Sequence, residues 1–182
     1  MKTIFDLDRF RMGVFNLSSA RFGKVAEIMI QQLFGYSKSH VKYYNLYDPT
    51  NKLRVEVGFS RAIDKPRSLS KSNVIAEIYK AASNKKNAIN ESDIQNSKFI
   101  CNIQQLKLNH FDVLYYGIYF YDFIHIYKAT VPELPYLPGF SNKQHQSSVE
   151  EAQMGLTEIN IQHHKKYLKF KLSYLDLFNL LT

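Results

Sequence analysis

The chain is short of cysteine, of glycine and of long apolar runs, and each shortage removes a class of function. A single cysteine, Cys101, cannot close an internal disulfide, so a reducing cytoplasm is the expected location. Its neighbours Phe99, Ile100 and Ile103 mark it as a packing residue rather than a nucleophile. The 7 glycines form no phosphate-cradling loop and no nucleophile elbow, and one cysteine cannot make a paired-cysteine metal motif. The opening Met1-Lys2-Thr3-Ile4-Phe5-Asp6 has no uninterrupted apolar core followed by small residues, which argues against a secretory signal. The most apolar region, residues 113–127, carries Asp122 and His125. It is also shorter than the ~20 residues a bilayer-spanning helix needs, so no membrane partner is expected. There is no internal repeat.

Acidic residues are also in deficit. The chain has 16 Asp and Glu against 24 Lys and Arg, giving a formal net charge of +8 and a pI near 9.4. That balance favours a polyanionic partner such as nucleic acid over an acidic small molecule, with a solvated basic surface as the plainer alternative. A length of 182 residues with 45% hydrophobic content suits one domain, residues 1–182, with its own core.

The hydrophobic pattern predicts an α/β (α+β) fold, with a central mixed β-sheet of about five strands flanked by helices. A helix starts at Ser18 or Ser19 and ends at Phe34 before Gly35, burying Phe22, Val25, Ala26, Met29 and Leu33. Strands at 41–46 and 53–62 form a hairpin through Asp48-Pro49-Thr50-Asn51. A basic connection leads to a second amphipathic helix carrying Val74, Ile75, Ile78 and Ala82, capped by Ser72 or Asn73. Residues 83–97 read as a polar surface loop with room for a short helix. A third strand, 99–108, precedes a second hairpin, 113–120 and 123–127, that turns at Tyr121-Asp122. Pro132, Pro135 and Pro138 rule out a regular helix over 131–139 and predict an ordered extended arm. A C-terminal helix from Ser173, with Ser173 and Asp176 at capping-box spacing, docks through Leu175, Phe178 and Leu181.

Chemistry concentrates on one strand. Leu53, Val55, Val57 and Phe59 alternate with Arg54, Glu56, Gly58 and Ser60, so Glu56 and position 58 share a face. A Glu-x-Lys pair placed this way sets a metal-binding carboxylate beside an ammonium group that offsets charge on a phosphodiester. Here the second position is glycine. If Tyr47 pairs with Lys52, Tyr43 faces Glu56, Asn45 lies diagonally beside Glu56, and Asp48 falls in the turn on the other parity. A one-residue slip reverses that assignment. Glu27 lies off the centre of its helix stripe, either as a solvated charge or as an acid facing a cleft. Gln105 and Lys107 share a face near the end of the third strand, whereas Lys24 and Lys42 lie off the predicted face.

Four fragments together resemble small type II restriction endonucleases of the PD-(D/E)XK superfamily. They are Phe22-Gly23-Lys24-Val25-Ala26-Glu27, Arg54-Val55-Glu56-Val57-Gly58-Phe59-Ser60-Arg61, Asn102-Ile103-Gln104-Gln105-Leu106-Lys107 and Phe111-Asp112-Val113-Leu114-Tyr115-Tyr116-Gly117. The resemblance runs over residues 21–128 and implies Mg²⁺-dependent hydrolysis of double-stranded DNA at a short sequence. It also implies a homodimer and a cognate DNA methyltransferase that protects the host. By position, Glu56 matches the second acidic residue and Gly58 takes the place of the lysine. The first acidic position falls on Asn45, or on Asp48 in the other register. Glu27 matches an acid that some members carry on the preceding helix. Asparagine brings no negative charge and glycine no ammonium, so the chain is expected to bind DNA and cleave it poorly unless another lysine enters the cleft. Lys107 is the leading replacement, with Gln105 supplying a carbonyl ligand in a Gln-x-Lys arrangement.

DNA phosphate contacts are expected from Arg61, Lys65, Arg67 and Lys71, which follow the active strand, and from Lys143, Lys165, Lys166 and Lys169 late in the chain. His163-His164 and His145 raise a histidine-nuclease or metal reading, but adjacent histidines point apart and no second cluster has zinc-ligand spacing. The 13 Tyr and 13 Phe read chiefly as core and sheet packing, with base stacking secondary. The rival readings are a non-catalytic DNA-binding protein that retains the nuclease fold and an RNA-binding protein.

Overall fold

The computed structural model describes residues 6–65, 68–82, 87–143 and 151–182. Its first helix, α1 (Leu7–Asn16), is not foreseen by the sequence pattern; Asp6 caps it by accepting the Arg9 N–H at 3.0 Å, and Val14 and Phe15 are buried. Helix α2 (Ser19–Phe34) has the predicted limits and ends on Gly35, whose φ of 66° is the left-handed conformation that lets its N–H reach the Gln31 carbonyl. Phe22, Ala26 and Met29 are buried together with Ile30, while Val25 and Leu33 are half-buried.

After α2 come β1 (Ser37–Lys38), β2 (Leu46–Asp48), β3 (Leu53–Arg61), α3 (Val74–Ala82), β4 (Ile100–Leu106), β5 (Val113–Tyr119) and β6 (Phe123–Thr130). The chain finishes with β7 (Phe140–Ser141), β8 (Ala152–Thr157), α4 (Ile161–His164), β9 (Leu168–Ser173) and α5 (Tyr174–Leu181). The central sheet is mixed and six-stranded, in the order β1-β2-β3-β5-β6-β9. β3 and β5 run parallel, Val55 opposite Val113 through Arg61 opposite Tyr119. β5 is buried at every position, which is why its sequence shows no alternation. The predicted turn at Tyr121-Asp122 closes the β5–β6 hairpin, with the Phe120 N–H donating to the Phe123 carbonyl at 2.8 Å.

The sheet separates two apolar layers. On one face Phe22, Met29 and Ile30 of α2 cover Val55, Val113, Tyr115 and Tyr119. On the other, Cys101, Ile103 and Leu106 of β4 cover Leu114, Tyr116 and Ile118. Burial of each such side chain contributes about 1.5–3 kcal/mol.

Several sequence expectations need correction. β4 is not part of the central sheet: it pairs with β8 in a three-stranded sheet of order β4-β8-β7 that lies against β3. Of the strand predicted at 41–46 only Leu46 is extended, in a β2 that runs on to Asp48, and residues 41–45 are irregular. α3 forms, yet Ile75 and Ile78 are 64% and 57% exposed, so its apolar residues do not form a buried stripe. Within 83–97, residues 83–86 lie outside the described set; Ala88, Ile89 and Ile94 are buried and Glu91–Asn96 form a 3₁₀ helix. The proline segment is a 3₁₀ helix, Val131–Tyr136, rather than an extended arm. A Thr130/Glu133 capping box starts it, and Leu134 and Leu137 anchor it. α5 carries the predicted Ser173/Asp176 box but docks chiefly through Tyr174 and Leu177, leaving Leu175 47% exposed. Among the described residues no helix is long and apolar enough to cross a membrane.

Candidate active site

The candidate site exists because β2 stops early. Only three residues pair with β3, from Asp48 opposite Leu53 to Leu46 opposite Val55. The predicted Tyr47–Lys52 pair is therefore displaced by two residues: Tyr47 stands opposite Arg54. The turn residues explain this shift. Lys52 has φ 56°, and the Asp48 carboxylate accepts the N–H groups of Thr50 and Asn51 at 3.0 and 3.1 Å and the Asn51 side-chain amide at 2.8 Å. Those bonds, the Asn51 side chain first, hold the Asp48 carboxyl below its usual range. Asp48 is thus a buried turn residue outside the cleft around Glu56, and the alternative that placed the first acidic position there is corrected. A two-residue displacement preserves parity, so Asn45 stays on the side of Glu56 and comes directly alongside it.

With β2 ended, Asn45 finishes the edge of β3. Its backbone N–H donates to the Val55 carbonyl at 3.1 Å and its Oδ1 accepts the Val57 N–H at 2.7 Å. Its Nδ2 donates to Glu27 Oε1 at 3.2 Å, and the second Glu27 oxygen pairs with Lys24. Two helix side chains are thereby drawn to the sheet edge next to Glu56. Burial pushes the Glu56 carboxyl up to about 7; the Asn45 backbone N–H pulls it down, and the negative charge of Glu27 pushes it up further.

The opposite wall comes from β4. A Cβ on Gly58 would stand 2.5 Å from Ile103 Cγ2, so the glycine is what allows β4 to cross β3 this closely. The position matching the family's lysine is covered by an isoleucine methyl. Beyond Ile103 the β4–β8 register shifts, and Gln105 takes φ 61°. Past this irregularity Gln105 and Lys107 line the same cleft as Asn45 and Glu56, a space of about 460 Å³. Lys107 Nζ lies 3.5 Å from Glu151 Oε1, brought there by the pairing of Leu106 with Ala152. Lys42 and Tyr43 also line it, and the Tyr43 ring packs on His110 with centroids 4.8 Å apart.

Of the residues singled out in the sequence, Asn45, Glu56, Gln105 and Lys107 line one cleft, and Glu27 is tied to it through Asn45. Of Lys42 and Lys24, both set aside as off the predicted face, Lys42 lines the cleft and Lys24 pairs with Glu27 beside it. Glu151 and His110 carry no sequence signal, because β8 and the turn before β5 bring them in from afar. The expected phosphate contacts fare differently. The Arg61 guanidinium donates to the Phe15 and Leu17 carbonyls at 2.7 and 2.9 Å and lies over the Phe22 ring, joining α1 to α2. Lys65, Lys71, Lys143, Lys165 and Lys166 are exposed and none of them lines the Glu56 cleft; Arg67 lies outside the described residues. His164 is buried between the Tyr116 hydroxyl at 3.0 Å and the Pro138 carbonyl at 3.1 Å, a core residue whose pKa burial lowers. His163 is exposed beside it, and His145 lies outside the described residues.

The donors of the cleft decide whether it suits a magnesium ion. Among the described residues no group of three or more His, Cys, Asp and Glu side chains is arranged to hold a metal ion. Mg²⁺ does not need such a cage: it is usually held by one or two carboxylates, with water and substrate phosphate filling its shell. Glu56, desolvated beside a second carboxylate, fits that pattern, and Gln105 adds an amide at the same cleft. Asn45 is a poorer ligand, since its carbonyl already accepts the Val57 N–H. No family model matches the chain, and no curated protein matches it.

Proposed function

We propose that the Glu56 cleft is the active centre of a divalent-metal-dependent endonuclease acting on double-stranded DNA. The observation that supports this most is a carboxyl raised to about 7 in a cleft that also holds Lys107. Glu56 would hold Mg²⁺, Gln105 could add its amide carbonyl at the same cleft, and Glu27, whose oxygens are taken by Asn45 and Lys24, would add negative charge beside it. When bound, the metal offsets phosphate charge and makes water more acidic. The raised Glu56 carboxyl would give up its proton on taking the metal, so metal binding at this cleft would release a proton near neutral pH. Lys107 and Lys42 stand where phosphate oxygens enter, and Asn45 positions Glu27 and the edge of β3. The net charge of +8 suits the polyanionic substrate. Following the resemblance to type II restriction endonucleases, the chain acts as a homodimer at a short sequence, with a cognate DNA methyltransferase.

The test is incubation of the purified protein with mixed-sequence DNA and Mg²⁺. Discrete fragments that disappear with Lys107→Ala and with Glu56→Gln are the expected result. A second reading, a DNA-binding protein without activity, draws on Ile103 over Gly58 and on the uncharged Asn45. It wins if the unaltered protein binds DNA with steep salt dependence and yields no fragments. Preference for RNA in competition would overturn the DNA substrate.

A further inference from the structure

A second cleft, about 810 Å³, is larger than the Glu56 cleft. It lies on the other face of the central sheet, between the end of α2 and β9, and its floor and walls are aromatic: Phe34, Tyr36, Tyr115, Tyr167 and Phe170. Phe34 and Tyr36 stack at 5.4 Å with an interplanar angle of 17°, and Phe170 meets Phe34 edge-on at 5.5 Å while remaining 40% exposed. The hydroxyls of Tyr36 and Tyr115 hydrogen-bond to each other at 2.9 Å.

Three ammonium groups converge on this aromatic surface. Lys128 Nζ lies 5.4 Å from the Tyr115 ring centroid, Lys166 Nζ lies 5.0 Å from that of Tyr167, and Lys169 completes the set. Two carboxylates face them, and both already accept local hydrogen bonds. Glu133 accepts the Thr130 N–H and hydroxyl, each at 2.7 Å, and feels Lys166 and Lys169 only through space. Asp48, which feels Lys128, is held by its own turn. Among the described residues none of the three lysines is in an ion pair. Converging positive charge beside the exposed Phe170 ring and the half-buried Tyr36 ring matches a ligand that is anionic at one end and flat and aromatic at the other.

We propose that this cleft binds a nucleoside phosphate, with Lys128, Lys166 and Lys169 around the phosphate and the base against Tyr36 and Phe170. The same chemistry is presented by a free mononucleotide and by the phosphorylated end of an unpaired strand. The cleft's volume lies within the usual range of small-ligand sites, about 300–1,000 Å³. The inference is independent of the nuclease reading, since Glu56 lies on the opposite sheet face and lines none of this cleft.

Calorimetric titration of the full chain in EDTA, with adenosine 5′-monophosphate, a 5′-phosphorylated tetrathymidylate and inorganic phosphate as separate ligands, tests it. Saturable binding of either nucleotide ligand, tighter than inorganic phosphate, is expected, and the tighter of the two identifies the source. The double variant Lys166→Ala, Lys169→Ala should weaken nucleotide binding about tenfold or more. Phe170→Leu, which keeps an apolar side chain, should weaken it about fivefold while leaving inorganic phosphate unchanged. Glu56→Gln should bind as the unaltered chain does, which separates this site from the other cleft. Equal affinity for inorganic phosphate and nucleotide, or unchanged binding by the double variant, would overturn the proposal.

Discussion

The two clefts on either side of the central sheet treat charge in opposite ways. Around Glu56 a carboxyl is drawn into a desolvated corner beside a second one, and its proton is held up to about 7. On the α2 face Lys166 and Lys169 are exposed, and Lys128 and Lys166 lie over the rings of Tyr115 and Tyr167. The first arrangement costs folding free energy at neutral pH and is relieved by a cation; the second costs little and attracts an anion. Cost of this kind is tolerated at functional sites, which is why the proposed chemistry is placed on the Glu56 side and the proposed nucleotide binding on the lysine side.

The comparison breaks most visibly at Glu56. Glu56→Gln is expected to reduce DNA cleavage about a thousandfold or more, read as initial rate on supercoiled DNA, and to leave nucleotide binding at the lysine cleft intact. Next in size is pH-dependent stability. The folded carboxyl titrates near 7 and the unfolded one near 4.5, so the native state holds the extra proton between these values and stability falls as pH rises through that window. Glu56→Gln removes this loss. Its stability advantage over the unaltered protein should be near zero below the lower value and grow to the order of 3 kcal/mol above the upper one, measured by urea unfolding. Lys107→Ala should slow cleavage about a hundredfold without altering that pH profile. The smallest effect is expected at Gly58. Gly58→Ala forces Ile103 aside and should cost about 1–3 kcal/mol of stability, part of it recovered by adding Ile103→Val.

Local signals in the sequence carried well. Ser18 and Gly35 mark the ends of α2, and the Tyr121-Asp122 turn sets the β5–β6 hairpin, because capping and turn chemistry are decided within a few residues. Strand parity put Asn45 on the side of Glu56, and it survived a two-residue change of register because side chains alternate with period two. What period two does not specify is the partner strand. Cys101 and Ile103 show that β4 buries one face, but not that the face lies over β3 in a second sheet. The role of Gly58 followed from that misplacement: as a missing lysine it is a gap, and under Ile103 it is a point of close packing. β9 was hidden for a related reason, since Lys169 and Lys171 alternate with Leu168, Phe170 and Leu172 at a sheet edge and read as a basic stretch. Glu151 joins Lys107 only through the β4–β8 ladder, a contact no local pattern encodes.

The central claim, that Glu56 is a desolvated carboxyl awaiting a divalent cation, is tested most directly by following its carboxyl carbon by NMR across pH, with Glu56→Gln to assign the signal. The expected midpoint is about 7 in the free protein, moving to lower pH when Mg²⁺ is added. A midpoint in the ordinary glutamate range that Mg²⁺ leaves unmoved would contradict the account.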